Sequence, residues 1–125
     1  MKSKVFDLED GFVDFSSRVV DVVEALANSR AGNYIAGQLV RCGLAPSLLY
    51  GEAQSAESRN DFIHKMKIVL KETRVCLKII RKKEMIKPIA RMDDIGKENE
   101  ELVAIVSKSI DTANKNNYLL NKQPN

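Results

Sequence analysis

Hydrophobic positions recur every three or four residues along most of this chain, most clearly between Ser58 and Lys83. There Phe62, Met66, Val69, Thr73, Cys76 and Ile80 alternate spacings of four and three, which places them on one face of a helix at about 100° per residue. Ile63, Leu70 and Leu77 widen that face on one side. Beside it runs a second stripe at the same spacing: Lys67, Lys71, Arg74, Lys78 and Arg81. One helix thus carries a core face and a continuous basic edge. Ile68, Val75 and Ile79 fall outside the core arc, on the side opposite the basic edge. They predict a subunit contact, because three aliphatic side chains there form an exposed patch on a monomer.

The same periodicity predicts three more helices. Phe12, Phe15, Val19, Val22 and Leu26 mark a first helix over Leu8 to Ala27, with acids in its first turn and on its outer face (Asp14, Asp21, Glu24). Asn28 or Ser29 is positioned to cap the next one. Ile35, Leu39, Cys42, Pro46, Leu49, Ala53 and Ala56 keep one phase from Gly32 to Ser55. That constancy predicts a single helix kinked at Pro46, despite the roughly 3 kcal/mol an interior proline costs. Small residues there (Gly37, Gly43, Ala45, Ser47 and Gly51) suit close approach of a neighbour. Ser58 with Asp61 resembles a capping box for the third helix, which Pro88 is expected to stop. The connection from Glu84 to Asp93 is apolar enough to pack down. Asp93 or Asp94 caps a fourth helix over Ile95 to Lys115, with Leu102, Ile105, Val106 and Ile110 on its apolar face.

The expectation is an all-α, antiparallel up-down four-helix bundle over residues 1–115, with a kinked second helix and a flexible tail at 116–125. A chain of 125 residues suits one domain with its own core. The longest apolar-looking stretch, Val19 to Ala27, is interrupted by charge and falls short of the roughly 20 residues of a membrane span. With no secretory pattern at the N-terminus, a soluble cytoplasmic protein is expected. Cys42 and Cys76 lie on apolar stripes and read as free buried thiols.

Charge alters the picture more than composition does. The chain is only +3 overall, yet residues 1–29 carry −3, residues 59–91 carry +8 and residues 92–125 carry −2. The excess belongs to the third helix and its exit, with Lys82 and Lys83 added to the stripe. Two readings of the edge stand. It is a solvated face that pairs with acidic helices of the same or a neighbouring protomer, or it contacts phosphate backbones. Aromatic residues that would favour single strands are missing from the stripe. The lone His64, near Asp61 and Lys65, forms no metal or triad arrangement. Glu52 and Glu57 lack the Glu-x-x-His partners of a di-iron bundle. A Gly-rich phosphate loop, a nucleophile elbow and a Cys/His cluster are all missing. No catalytic residue, metal or cofactor is expected.

Three runs carry a resemblance: Tyr34 to Gly43, Tyr50 to Ser58, and Asp61 to Glu72, joined by Ile110 to Asn116. Together they resemble the ribosomal-RNA intervening-sequence protein family, often called four helix bundle proteins. Where many members carry an aromatic pair, this chain has Val75 and Cys76. The resemblance implies an up-down four-helix protomer, a homopentamer, and a bacterial cytoplasmic protein without catalytic activity. The related accessory variability proteins of diversity-generating retroelements form basic rings that bind nucleic acid and a reverse transcriptase. The expected function is therefore a non-enzymatic, oligomeric, nucleic-acid-binding protein that contacts RNA or DNA phosphates through Lys67, Lys71, Arg74, Lys78, Arg81, Lys82 and Lys83. The alternative is a scaffold docking an acidic protein partner, such as a reverse transcriptase or a ribosome-associated factor.

Overall fold

In the computed structural model, residues 8–52 and 59–122 are described, with side chains at 8–50 and 61–108. Four helices follow one another: α1 (Leu8–Ala25), α2 (Arg30–Glu52), α3 (Arg59–Lys82) and α4 (Ala90–Lys122). They pack in succession, α1 on α2, α2 on α3 and α3 on α4, with α1 closing more loosely on α4. This is the expected all-α four-helix bundle. Three helices bury residues at four-three spacing as expected: Phe12, Phe15, Val19 and Val22 on α1, Leu39, Cys42 and Pro46 on α2, and Met92, Ile95, Leu102 and Val106 on α4. Tyr50 ties three helices together at one end, its ring 5.6 Å from Phe12 and 6.4 Å from Phe62.

The helix ends have identifiable causes. Ser29 caps α2: its Oγ accepts the Gly32 N–H at 2.9 Å, and its carbonyl accepts the Asn33 N–H at 2.8 Å. A Cβ at Gly32 would collide with the Ala27 carbonyl oxygen, so the turn excludes any other residue there. At the far end of α3 the terminator is Glu84, and Pro88 lies well beyond it. Glu84 takes a left-handed conformation, with φ at 50°. Its N–H bonds the Arg81 carbonyl at 3.1 Å, and the Met85 N–H bonds the Ile80 carbonyl at 3.0 Å. That is the Schellman pattern, filled here by glutamate where glycine is usual.

Pro88 in fact precedes a start. The Pro88 and Ile89 carbonyls accept the Arg91 and Met92 N–H groups at 3.1 and 2.8 Å. Helix α4 thus begins at Ala90, five residues before the expected Ile95, and Asp93 sits inside its first turn instead of capping it. The connection does pack down, with Ile86 buried and Met85 and Ile89 half-buried. The backbone helix of α4 continues through 116–122, positions expected to form a tail. Ser58 and Glu57, with Ala53 and Ala56, lie outside the described residues.

Helix α2 runs unbroken through Pro46. A proline leaves carbonyls of the preceding turn short of partners. Ser16 on α1 packs against this turn: its hydroxyl donates to the Gly43 carbonyl at 3.2 Å and lies 2.7 Å from the Ser47 hydroxyl. The approach depends on Gly43, where a Cβ would stand 2.6 Å from the nearer methyl of Val19. Gly37, by contrast, faces open space.

Among the described residues only Ser16, Thr73 and Asn99 are polar and buried. Arg18 meets Glu98 and Arg74 meets Glu100, which puts all three within about one helical turn of the same level. The bundle therefore has a polar layer at mid-height. Thr73 returns its hydroxyl to the Val69 carbonyl at 2.8 Å. Asn99 has no partner for either amide atom.

Candidate nucleic-acid interface

The buried residues of α3 are Ile63, Met66, Leu70, Thr73, Leu77 and Ile80, while Phe62, Val69 and Cys76 are half-buried. The core direction is therefore turned by about 50° from the expected stripe, toward the basic edge. Ile68, Val75 and Ile79 then point almost straight away from the core, about 170° from its centre, and the basic edge lies between the two. This corrects the expected placement of the aliphatic stripe opposite the basic edge. The three aliphatics are 56%, 53% and 42% exposed.

At 100° per residue, Lys67, Lys71, Arg74, Lys78, Arg81 and Lys82 fall within an arc of about 100°. Lys83 falls outside it, in the turn after the last residue of α3. Lys67 and Arg74 are half-buried; Lys71, Lys78, Arg81 and Lys82 are exposed. The edge faces α4 and meets two carboxylates there. Arg81 Nε donates to Asp93 at 2.7 Å, and Arg74 Nε stands 3.7 Å from Glu100. The second distance is too long for a hydrogen bond, and Arg74 Nε is buried without one although the side chain as a whole is 42% exposed. No ion pair involves Lys67, Lys71, Lys78 or Lys82 among the described residues.

Glu98 takes both Nε and Nη2 of Arg18 at 2.5 Å, and these bonds raise the Arg18 pKa above its ordinary value. Asp14 lines the α1–α4 groove beside them. His64 is exposed, and Glu52 closes the described part of α2. Cys42 is buried and Cys76 half-buried, both as free thiols. Burial, with Cys42 beside it, pushes the Cys76 thiol up to about 11.

Between the basic edge and α4 lies a cavity of about 200 Å³. Arg74, Lys78 and Arg81 border it from α3, with Leu77 between them. Gly96 and Asn99 line it from α4, and Glu100 stands beside them. Its walls are mostly carbon. A Cβ at Gly96 would meet nothing within 4 Å, so glycine there leaves room that a side chain would fill. Asn99 is a buried amide that periodicity alone does not single out. Its signal is the four-three series Met92, Ile95, Asn99, Leu102, Val106, in which one member is an amide.

This fold has a solved counterpart. A protein of unknown function from the S23 ribosomal protein family of Bacteroides thetaiotaomicron, known from a 1.70 Å crystal structure, superposes with a TM-score of 0.71. It is 27% identical, and the match covers 83% of this chain and 98% of that one. No protein-family model and no curated protein matches the chain. Among the described residues no helix is long and apolar enough to cross a membrane.

Proposed function

We propose that this chain is a non-enzymatic, oligomeric binding protein that contacts RNA or DNA phosphates through the basic edge of α3. The observation that carries the reading is the state of that edge. Lys71, Lys78 and Lys82 are exposed, without ion pairs among the described residues. Like charges three and four residues apart disfavour a helix by a few tenths of a kcal/mol per pair. A helix that keeps several such steps in register has a use for the field they create. The carboxylates nearby are weak competitors, since exposed pairs are worth about 0–1 kcal/mol and a phosphate can displace them. We further propose membership of the intervening-sequence family. The resemblance of Tyr34–Gly43 and Asp61–Glu72 supports it, as does a structural neighbour assigned to an S23 ribosomal protein family.

Ile68, Val75 and Ile79 supply the proposed contact between protomers, and the resemblance favours a pentamer. A ring would repeat the basic edge and multiply weak phosphate contacts through effective concentration. The test is a mobility-shift series with an RNA and a DNA of mixed sequence. Replacing Lys67, Lys71, Arg74 and Lys78 by Gln together should abolish the shift while circular dichroism stays helical. A shift of the same size from that variant, or none from either protein, refutes the reading.

A further inference from the structure

The exposed apolar side chains of this protein are not scattered. Among the described residues, all eight large hydrophobic side chains that are exposed lie on α1, α2 and α3, and none lies on α4. Helix α2 packs on both α1 and α3 and stands diagonally across the bundle from α4. It is also poor in charge, with Arg30, Arg41 and Glu52 alone among its 23 residues. Its buried series Leu39, Cys42 and Pro46 is matched on the opposite side of the helix by Val40, Leu44 and Leu48. A helix that is apolar all round belongs in an interior, and the bundle covers only one side of this one.

Two apolar faces meet along α2. The Ser16 contact with Gly43 and Ser47 fixes the side of α2 that meets α1. Counting from Ser16 and Gly43 along the antiparallel helices brings Val20 level with Val40. Val13 and Val20 of α1, with Val40 of α2, form the α1–α2 face. Tyr34 and Leu48 lie toward the other side of α2 and join Ile68, Val75 and Ile79 in the α2–α3 face. Together these side chains form a larger apolar surface than the few hundred Å² that a monomer carries. A standard interface takes about 800 Å² from each partner, which a face two helices wide supplies. A two-fold contact uses the same patch on both partners, so pairing α3 with α3 leaves the α1–α2 face uncovered. A head-to-tail contact covers both faces at once.

We infer that the α2–α3 face of one copy of this chain docks on the α1–α2 face of the next, in a closed ring with α2 at its axis. The inference rests on the reading of Ile68, Val75 and Ile79 as a protomer contact and adds the surface that receives them. Two docking faces at a corner make each protomer a wedge, and a few wedges close on themselves without leaving an apolar edge. Helix α4, diagonal to α2, and the basic edge that faces it stay on the outer surface of such a ring, open to phosphates.

Light scattering at micromolar protein tests it with two double variants. Val20→Glu with Val40→Glu charges the α1–α2 face, and Val75→Glu with Ile79→Glu charges the α3 stripe. All four positions are exposed, so both variants should keep the helical circular dichroism of the parent. The unmodified protein should have more than twice the mass of one protomer, and each variant alone the mass of one. An equal mixture of the two variants should recover a one-to-one pair, because each supplies the face that the other has lost. That pair also shows that both variants are folded. If the α1–α2 variant assembles as the parent does, or the mixture stays monomeric, the inference is overturned while the α3 contact stands. If the unmodified protein is a monomer, or the α3 variant assembles as the parent does, the inference and the contact reading fall together.

Discussion

Two polar contacts occupy the middle of this bundle, and they end differently. Between α1 and α2, Ser16 reaches both the Gly43 carbonyl and the Ser47 hydroxyl, and Gly43 lets the helices close until nothing more fits. Between α3 and α4, at the same height, the Asn99 amide has no hydrogen-bond partner, Arg74 Nε has only its ion pair with Glu100 at 3.7 Å, and a cavity remains. The first contact is completed by groups already in the chain. The second leaves comparable groups unsatisfied on the side that carries the basic edge. A closed polar contact explains itself by stability.

The largest effect should come from forcing the closed contact apart. Gly43→Val puts methyl groups where Val19 already stands and should destabilise the bundle by about 3 kcal/mol. Thermal melts would show a drop on the order of 10 °C. If the variant melts within a degree or two of the parent, the close approach of α1 and α2 is mistaken. The opposite sign is expected on the open side. Asn99→Leu removes two unsatisfied atoms and should raise stability by about 1–3 kcal/mol. A destabilised Asn99→Leu would mean that the amide has partners within the protein, and the contrast between the two regions would collapse. Ser16→Ala should cost about 1 kcal/mol, because it strands the Gly43 carbonyl and the Ser47 hydroxyl. Denaturant titration with an unchanged m-value would confirm a local loss.

The smallest expected effect lies where α2 meets α3. With its thiol held at about 11, Cys76 should react slowly with iodoacetamide at pH 8, and the rate should climb through pH 10 to 11. The raised value also means that the folded state holds its proton longer than the unfolded chain. Any stability this contributes is complete below about pH 9, the unfolded value, and is lost as pH rises toward 11. Rapid alkylation of Cys76 at pH 8 would show that the thiol is neither buried nor beside Cys42.

Most of the architecture is legible in the four-three series, because burial of one helix face leaves a strong period. Its finer placement is not. On α3 both Phe62–Val69–Cys76 and Ile63–Leu70–Leu77 are apolar, so the period defines an arc without its centre. Contact with α2 and α4 selects the second set. Pro88 suits a stop for α3 as well as the start of α4 where it stands, since proline signals both ends equally well. The basic edge is visible in the sequence as charge alone. Which of its members are paired depends on α4, whose Asp93 and Glu100 reach Arg81 and Arg74 only once the helices are antiparallel. Asn99 is hidden for a different reason: a polar residue in an apolar series looks like an interruption until its burial is seen.

The central claim is that the edge of α3 neutralises phosphates, and the salt dependence of binding tests it most directly. Affinity for a mixed-sequence duplex is measured between about 50 and 200 mM salt for the unmodified protein and for the variant with Lys67, Lys71, Arg74 and Lys78 replaced by Gln. Each neutralised phosphate contributes about −0.9 to the log–log slope on duplex DNA. Three or four contacts per protomer predict a slope near −3 for one protomer and a steeper one for an assembly, with no measurable binding left in the variant. Equal slopes for the two proteins would contradict the claim, because the phosphates would then be held by some other surface.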